Sequence, residues 1–222
     1  MVLLDGPRIG PQAGGSPRQL VVLLHGLGAD GADLIDLAPQ WAATLPHAAF
    51  VAPDAPEPCD MGPYGRQWFS LQDRRPAVMA AGARLAAEGL NAFLDAELAR
   101  LGLPGTALAL AGFSQGCMMA LYAGLRRPAA PAAAVLGYSG ALLAAESLAA
   151  ELVCRPPVLL VHGEADDIVP VAASRAAEQS LRAAGVPVEA LYRPGLAHGI
   201  DEAGLLAGAR MLGRAFAAAP GA

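Results

Sequence analysis

Three observations predict an α/β fold for this 222-residue chain, with a mostly parallel central sheet covered by helices on both faces. Short apolar runs of strand length alternate with helical patterns along its length, as successive βαβ units require. The runs are near-continuous in their apolar character, which suits strands buried on both faces. The residues are 55% hydrophobic and only 16% charged, so a sizeable core can form. The length fits one large domain, and residues 1–222 are read as one.

Leu20 to Leu24 (LVVLL) is the first buried strand, followed by a helix over Asp33 to Leu45 and a strand over Ala48 to Ala52. Pro76 to Leu101 reads as a helix with Pro at a first-turn position, where its missing N–H is harmless, and with Gly102 as the stop. Thr106 to Ala111 is a strand and Gln115 to Arg126 a helix. Strands then follow at Ala132 to Tyr138, Pro157 to Val161 and Val186 to Tyr192, with helices near Ala172 to Ala184 and Asp201 to Ala218. The connections are short, so no cap domain is expected. Pro53 to Arg75 breaks the regularity: 23 residues without a period, punctuated by Pro and Gly. A loop of that length is usually functional or disordered. Because it carries Cys59, Met61, Tyr64, Trp68, Phe69 and Leu71, it is expected to be ordered and to pack apolar side chains.

Composition narrows the function. The 15 basic residues are all Arg and the 20 acidic ones outnumber them, giving a net charge of −5. Nucleic-acid binding, which needs clustered positive charge, is not expected. Disorder is excluded by the same hydrophobic content. Ala supplies 51 residues, so the mean hydropathy of +0.40 overstates the bulky core. Three Cys, at 59, 117 and 154, show neither CxxC nor CxxH spacing, which argues against a disulfide framework or a zinc site. The N-terminal segment has no basic start, long apolar stretch or small-residue cleavage pattern, so a cytoplasmic, non-exported protein is expected. The uncharged run of 25 residues between Arg100 and Arg126 is long enough to suggest a membrane span, but its Gly and Pro residues divide it into strand, turn and helix. No membrane insertion is expected.

Gly112-Phe113-Ser114-Gln115-Gly116 fits G-x-S-x-G, an elbow that exposes a Ser hydroxyl on a tight strand-to-helix turn. With 26 Gly and 7 Ser in the chain, chance would supply about 0.1 such matches, so context decides. An apolar strand leads in and an uninterrupted helical pattern leads out. An activated Ser needs a base to accept its proton and an acid to orient that base. In the chain order associated with this elbow, acid and then base follow the Ser on loops after later strands. Of four His, only His198 has a carboxylate-rich strand-end turn between it and Ser114. His162 follows directly on a strand and reads as structural support for the acid loop. The acid lies in His162-Gly-Glu-Ala-Asp-Asp-Ile-Val-Pro170, where spacing leaves Glu164, Asp166 and Asp167 open. Two backbone N–H groups must stabilise a developing oxyanion. Gln115, directly after the Ser, offers one. Leu27, within the Gly-containing turn Leu24-His25-Gly26-Leu27-Gly28 after the first strand, offers the other.

Together, residues 23–30 (LLHGLGAD), 112–116 (GFSQG), the His-Gly-x-x-Asp-x-x-Val-Pro stretch at 162–170 and His198-Gly199 resemble the carboxylesterase/phospholipase family of α/β-hydrolases, which includes acyl-protein thioesterases. The resemblance spans about residues 18 to 217. It implies an α/β-hydrolase fold and a Ser114–His198–Asp166 triad, singling out Asp166 among the three acids. It also matches Leu27 and Gln115 to the oxyanion donors and places Trp68-Phe69 near the acyl site. Two positions depart from the family pattern: Cys117 stands where Gly is frequent, and Ser70 where Asp often follows the Trp-aromatic pair.

The activity expected is that of a serine carboxylesterase on short-to-medium acyl esters, with an acyl thioesterase or lysophospholipase as the close rival. A non-catalytic protein that kept the fold is the rival from another class. No cofactor or metal is expected. The partner is a small-molecule ester, and a homodimer is compatible with the sequence. Met61, Trp68 and Phe69, with Leu71, are expected to wall the acyl chain, so that Trp68→Ala would flatten any chain-length preference.

Overall fold

Near-continuous apolar runs become central strands only if helices cover both faces of their sheet. The computed structural model describes residues 3–128 and 132–218 and shows that arrangement; Met1 and Val2 of the N-terminal segment lie outside the described residues. The chain runs β1 (Arg8–Ile9), β2 (Gln19–Leu24), α1 (Gly31–Ile35), α2 (Ala38–Ala42), β3 (Ala48–Val51), β4 (Glu57–Pro58), β5 (Arg66–Gln67), α3 (Pro76–Leu101), β6 (Leu108–Phe113), α4 (Gln115–Arg126), β7 (Ala134–Tyr138), α5 (Leu148–Glu151), β8 (Val158–Gly163), α6 (Val171–Ala183), β9 (Val188–Arg193) and α7 (Glu202–Ala218). Seven strands form one sheet in the order β1-β3-β2-β6-β7-β8-β9. Every neighbouring pair is parallel except β1 on β3.

Alternation within each strand divides the core into two layers. Leu20, Val22 and Leu24 pack with Leu90 and Leu94 of α3, Leu121 of α4 and Leu181 of α6. Val21 and Leu23 face the other way, into Trp41 of α2 and Leu212 and Phe216 of α7. Among the described residues, no helix is long and apolar enough to cross a membrane.

The expected helix over 33–45 is two helices. Pro39 cannot continue a helix because its ring collides with the carbonyl four residues back, that of Ile35. The first helix ends at Ile35 and a second begins at Ala38, with Pro39 in its first turn. The long loop is ordered, as expected, and contains the β4–β5 hairpin. It buries Trp68 and Phe69 while leaving Met61 and Tyr64 exposed near the hairpin tip.

Parallel register gathers loops at one end of the sheet. Leu24 at the end of β2 lies opposite Gly112 near the end of β6, so the His25–Gly28 turn stands beside Ser114. Gly163 lies opposite Arg193, which brings the turn after β8 against the loop carrying His198. Ligands of open parallel sheets bind outside these carboxyl ends.

Candidate active site

Strain at one residue exposes the serine. Ser114 has φ 54° and ψ −115°, a conformation rarely held by a residue with a Cβ, between the last residue of β6 and the first of α4. The turn is tight enough to exclude side chains on both flanks. A Cβ on Gly116 would lie 1.8 Å from the Leu24 carbonyl oxygen, and one on Gly112 would lie 2.1 Å from that of Gly116. The N–H of Ser114 donates to Tyr138 O at 2.9 Å, tying the elbow to β7.

Ser114 and His198 line the same cleft, of about 560 Å³. His198 Nδ1 donates to Asp166 Oδ2 at 2.7 Å, and its ring packs on Phe113 with centroids 4.8 Å apart. A carboxylate can only accept, so Nδ1 carries the proton and Nε2 is left as the acceptor. No hydrogen bond joins Ser114 to His198 among the described residues.

Geometry distinguishes the three acids that spacing left open. Asp166 reaches His198 with one oxygen, and its other oxygen accepts the N–H groups of Ile168 at 2.9 Å and Val169 at 2.8 Å. Burial alone would raise the pKa of this carboxyl, but the His198 contact and the two backbone donors hold it below the usual carboxylate range. Glu164 is exposed and pairs with Arg175 at 2.7 Å, and Asp167 is exposed. His25 is buried with both ring nitrogens engaged, Nε2 accepting the Ala55 N–H at 3.0 Å and Nδ1 donating to Gly26 O at 2.7 Å. Its pKa is pushed down by burial.

Two N–H groups flank the serine. Gln115 opens α4, so its N–H has no acceptor within the helix. Around Leu27, the N–H of Gly28 donates to Arg66 O at 2.9 Å and that of Ala29 to Gly26 O at 3.3 Å, whereas the Leu27 N–H is uncommitted among the described residues. Leu27 also lines the cleft.

Of the residues expected to wall the acyl chain, only Leu71 lines the cleft that holds Ser114. Met61 is 51% exposed and does not line the cleft, because the hairpin holds it out in solvent. Trp68 and Phe69 are buried, and they line a second cleft of about 500 Å³. Their contacts are those of a brace. The Trp68 indole N–H donates to His25 O at 3.0 Å, and its backbone N–H donates to Gln115 Oε1 at 2.9 Å. Gln115 Nε2 in turn donates to Phe69 O at 2.7 Å. The segment thus joins the turn carrying Leu27 to the helix start carrying Gln115.

The apolar side chains lining that cleft include Leu34, Leu71, Met79, Met118 and Ile168. Met118 had a legible signal, since it lies one helical turn beyond Ser114. Arg74 and Asp33 also line the cleft.

Known proteins similar to this chain are hydrolases by name. A family model described as Phospholipase/Carboxylesterase matches residues 11–211. Acyl-protein thioesterase 1 of Schizosaccharomyces pombe is 32% identical over 203 residues, covering 84% of this chain and 86% of that protein. Esterase YpfH of Escherichia coli is 30% identical over 188 residues, covering 83% and 77%. The crystal structure of esterase PE8 superposes with a TM-score of 0.90 at 43% identity, covering 95% of this chain and 98% of that one.

Proposed function

The chain belongs to the phospholipase/carboxylesterase family of α/β-hydrolases, and we propose that it is a serine carboxylesterase acting on short-to-medium acyl esters through a Ser114–His198–Asp166 triad. The observation that carries this reading is His198, held by Asp166 at 2.7 Å over the cleft onto which the strained Ser114 opens. Ser114 Oγ attacks the ester carbonyl carbon as His198 Nε2 takes its proton. Asp166 holds the ring and stabilises the imidazolium. Negative charge on the carbonyl oxygen is met by the N–H groups of Leu27 and Gln115. As the tetrahedral species collapses, His198 returns the proton to the departing alkoxide, leaving an acyl group on Ser114. Water, deprotonated by His198, repeats the attack and releases the carboxylic acid.

The same steps cleave a thioester, and the 32% identical acyl-protein thioesterase favours that second reading. A series of chromogenic esters and matched thioesters separates the two. A carboxylesterase should turn over the esters at least as well; a kcat/KM one hundredfold higher on thioesters would overturn the ester assignment.

Chain length tests the cleft. Each methylene covered by Leu71, Met79 or Met118 should contribute about 0.8 kcal/mol, roughly fourfold in kcat/KM, until the wall ends. Efficiency should rise over the first few acyl carbons and then fall. Met79→Trp, which fills the cleft, should shift the optimum to shorter chains while acetyl esters react as in the parent. A parent optimum at long chains, or an unchanged profile in a folded Met79→Trp protein, would count against this acyl site.

Trp68 should act differently. Trp68→Phe keeps an aromatic body but removes the N–H that holds His25 O, and misplacement of oxyanion donors lowers turnover whatever the acyl chain. A fall of about tenfold in kcat, equal across the ester series and with KM little changed, is expected. A selective loss on longer chains would return Trp68 to the acyl wall.

A further inference from the structure

Asp166 touches two imidazoles. Besides His198 at 2.7 Å, its Oδ2 lies 3.1 Å from Nε2 of His162, and both side chains of that second pair are inaccessible to solvent. The same Nε2 lies 2.8 Å from Val169 O. A carbonyl and a carboxylate oxygen only accept, so His162 carries its proton on Nε2, where it donates to Val169 O and stands close to the Asp166 carboxylate. On the other side of the ring, Nδ1 meets Ser174 Oγ of α6 at 2.6 Å. With His198, the N–H groups of Ile168 and Val169 give Asp166 three hydrogen-bond donors, and the Nε2–H of His162 stands beside it without being aimed at it.

We propose that His162 is a positioning residue for the reaction, acting through Asp166: its Nε2–H holds Val169 O and so the 166–169 turn that carries the carboxylate, and, 3.1 Å from Oδ2, it offsets part of the negative charge that would otherwise face His198 alone. This rests on the triad reading given above. Fixing the carboxylate sets the angle of the His198 ring. Offsetting its charge limits how strongly the imidazolium is stabilised, and so keeps His198 able to accept the Ser114 proton at lower pH. The other charged and titratable groups nearby are already engaged or in solvent. Glu164 pairs with Arg175 of α6 and Asp167 is exposed. Tyr192, opposite His162 on β9, donates its hydroxyl to Glu178 at 2.8 Å. Arg193 pairs with Asp201 at 2.7 Å, and Tyr138 of β7 contacts Gly204 O. His162 is therefore the second imidazole placed against Asp166, beside His198.

Two substitutions divide the ring into its two functions. His162→Asn leaves a polar atom near the Nδ1 position, toward Ser174, but nothing to reach Asp166; His162→Gln can restore a donor near the Nε2 position. With a short-chain chromogenic ester, the acid limb of the kcat/KM profile should move up by about 0.5–1 pH unit in His162→Asn, with kcat about tenfold lower, and return close to the parent in His162→Gln. A merely structural role would lower activity without raising the limb. An unshifted or downward-shifted limb in His162→Asn overturns the proposal, as does an equal upward shift in His162→Gln. The parent protein supplies a test that needs no variant: ¹⁵N-histidine NMR should show His162 protonated at Nε2, and a neutral ring protonated at Nδ1 overturns the proposal. Labelling of the parent by a fluorophosphonate separates the two levels of failure. No label at Ser114 overturns the triad reading and this proposal with it, whereas label with an unshifted limb overturns this proposal alone.

Discussion

Ser114→Ala is expected to fold as the parent does and to lose about 10⁶-fold in kcat, with His198→Ala matching it and the double variant adding little, because nucleophile and base work as one unit. The fold should tolerate the first change. Alanine keeps the Cβ, so the positive-φ strain at position 114 is the same before and after, and the Ser114 hydroxyl makes no structural hydrogen bond among the described residues. Its N–H bond to Tyr138 O belongs to the backbone and survives. Active-site titration with a fluorophosphonate, circular dichroism and steady-state turnover of a short-chain ester give the result together. A folded Ser114→Ala protein that keeps more than a few per cent of parental turnover would remove Ser114 as the nucleophile.

The expected size of that loss follows from features legible in the chain, because backbone geometry demanded particular residues. Gly112 and Gly116 could be read as steric requirements of an elbow, and backbone atoms lie within about 2 Å of where their Cβ atoms would be. LVVLL could be read as a strand buried on both faces, and Leu20 to Leu24 are fully buried within one. Pairings across long stretches of chain were harder to see. Trp68 and Phe69 are apolar, lie in a long loop and are near the site, which is all that a sequence displays of them. Whether such residues wall a cleft or brace a turn depends on which side of the segment faces the serine, and hydrogen bonds to residues 43 and 47 positions away decided it. Met61 failed for a related reason. Side chains at the tip of a two-residue-per-strand hairpin have nothing to pack on, and β4 and β5 pair only over Glu57–Pro58 and Arg66–Gln67. The split at Pro39 was readable but outweighed by helical spacing on either side. Strand β1, two residues between Pro7 and Gly10, is too short to carry a period.

Adjacent acids give the test that reads this geometry most directly. Asp166→Asn should lower kcat about 10⁴-fold, the size of loss when the orienting acid of a serine protease triad becomes an amide. The reason is the proton position on His198. An amide NH₂ turned toward Nδ1 would donate where the carboxylate accepted, forcing the proton to Nε2, where it blocks transfer from Ser114. An amide oxygen turned that way instead would keep the tautomer but give up the charge that stabilises the imidazolium. Asp167→Asn differs by one position and should stay within about twofold of the parent, since that side chain is exposed and contacts neither His198 nor the 166–169 turn's backbone donors. The two proteins carry the same chemical change and the same change in net charge, so long-range electrostatics cannot separate them; contact with His198 can. Steady-state kinetics at a pH on the activity plateau is sufficient. Equal losses would make the effect one of charge or loop stability, and a larger loss at Asp167 would mean that the carboxylate reaching His198 is not the one at 166.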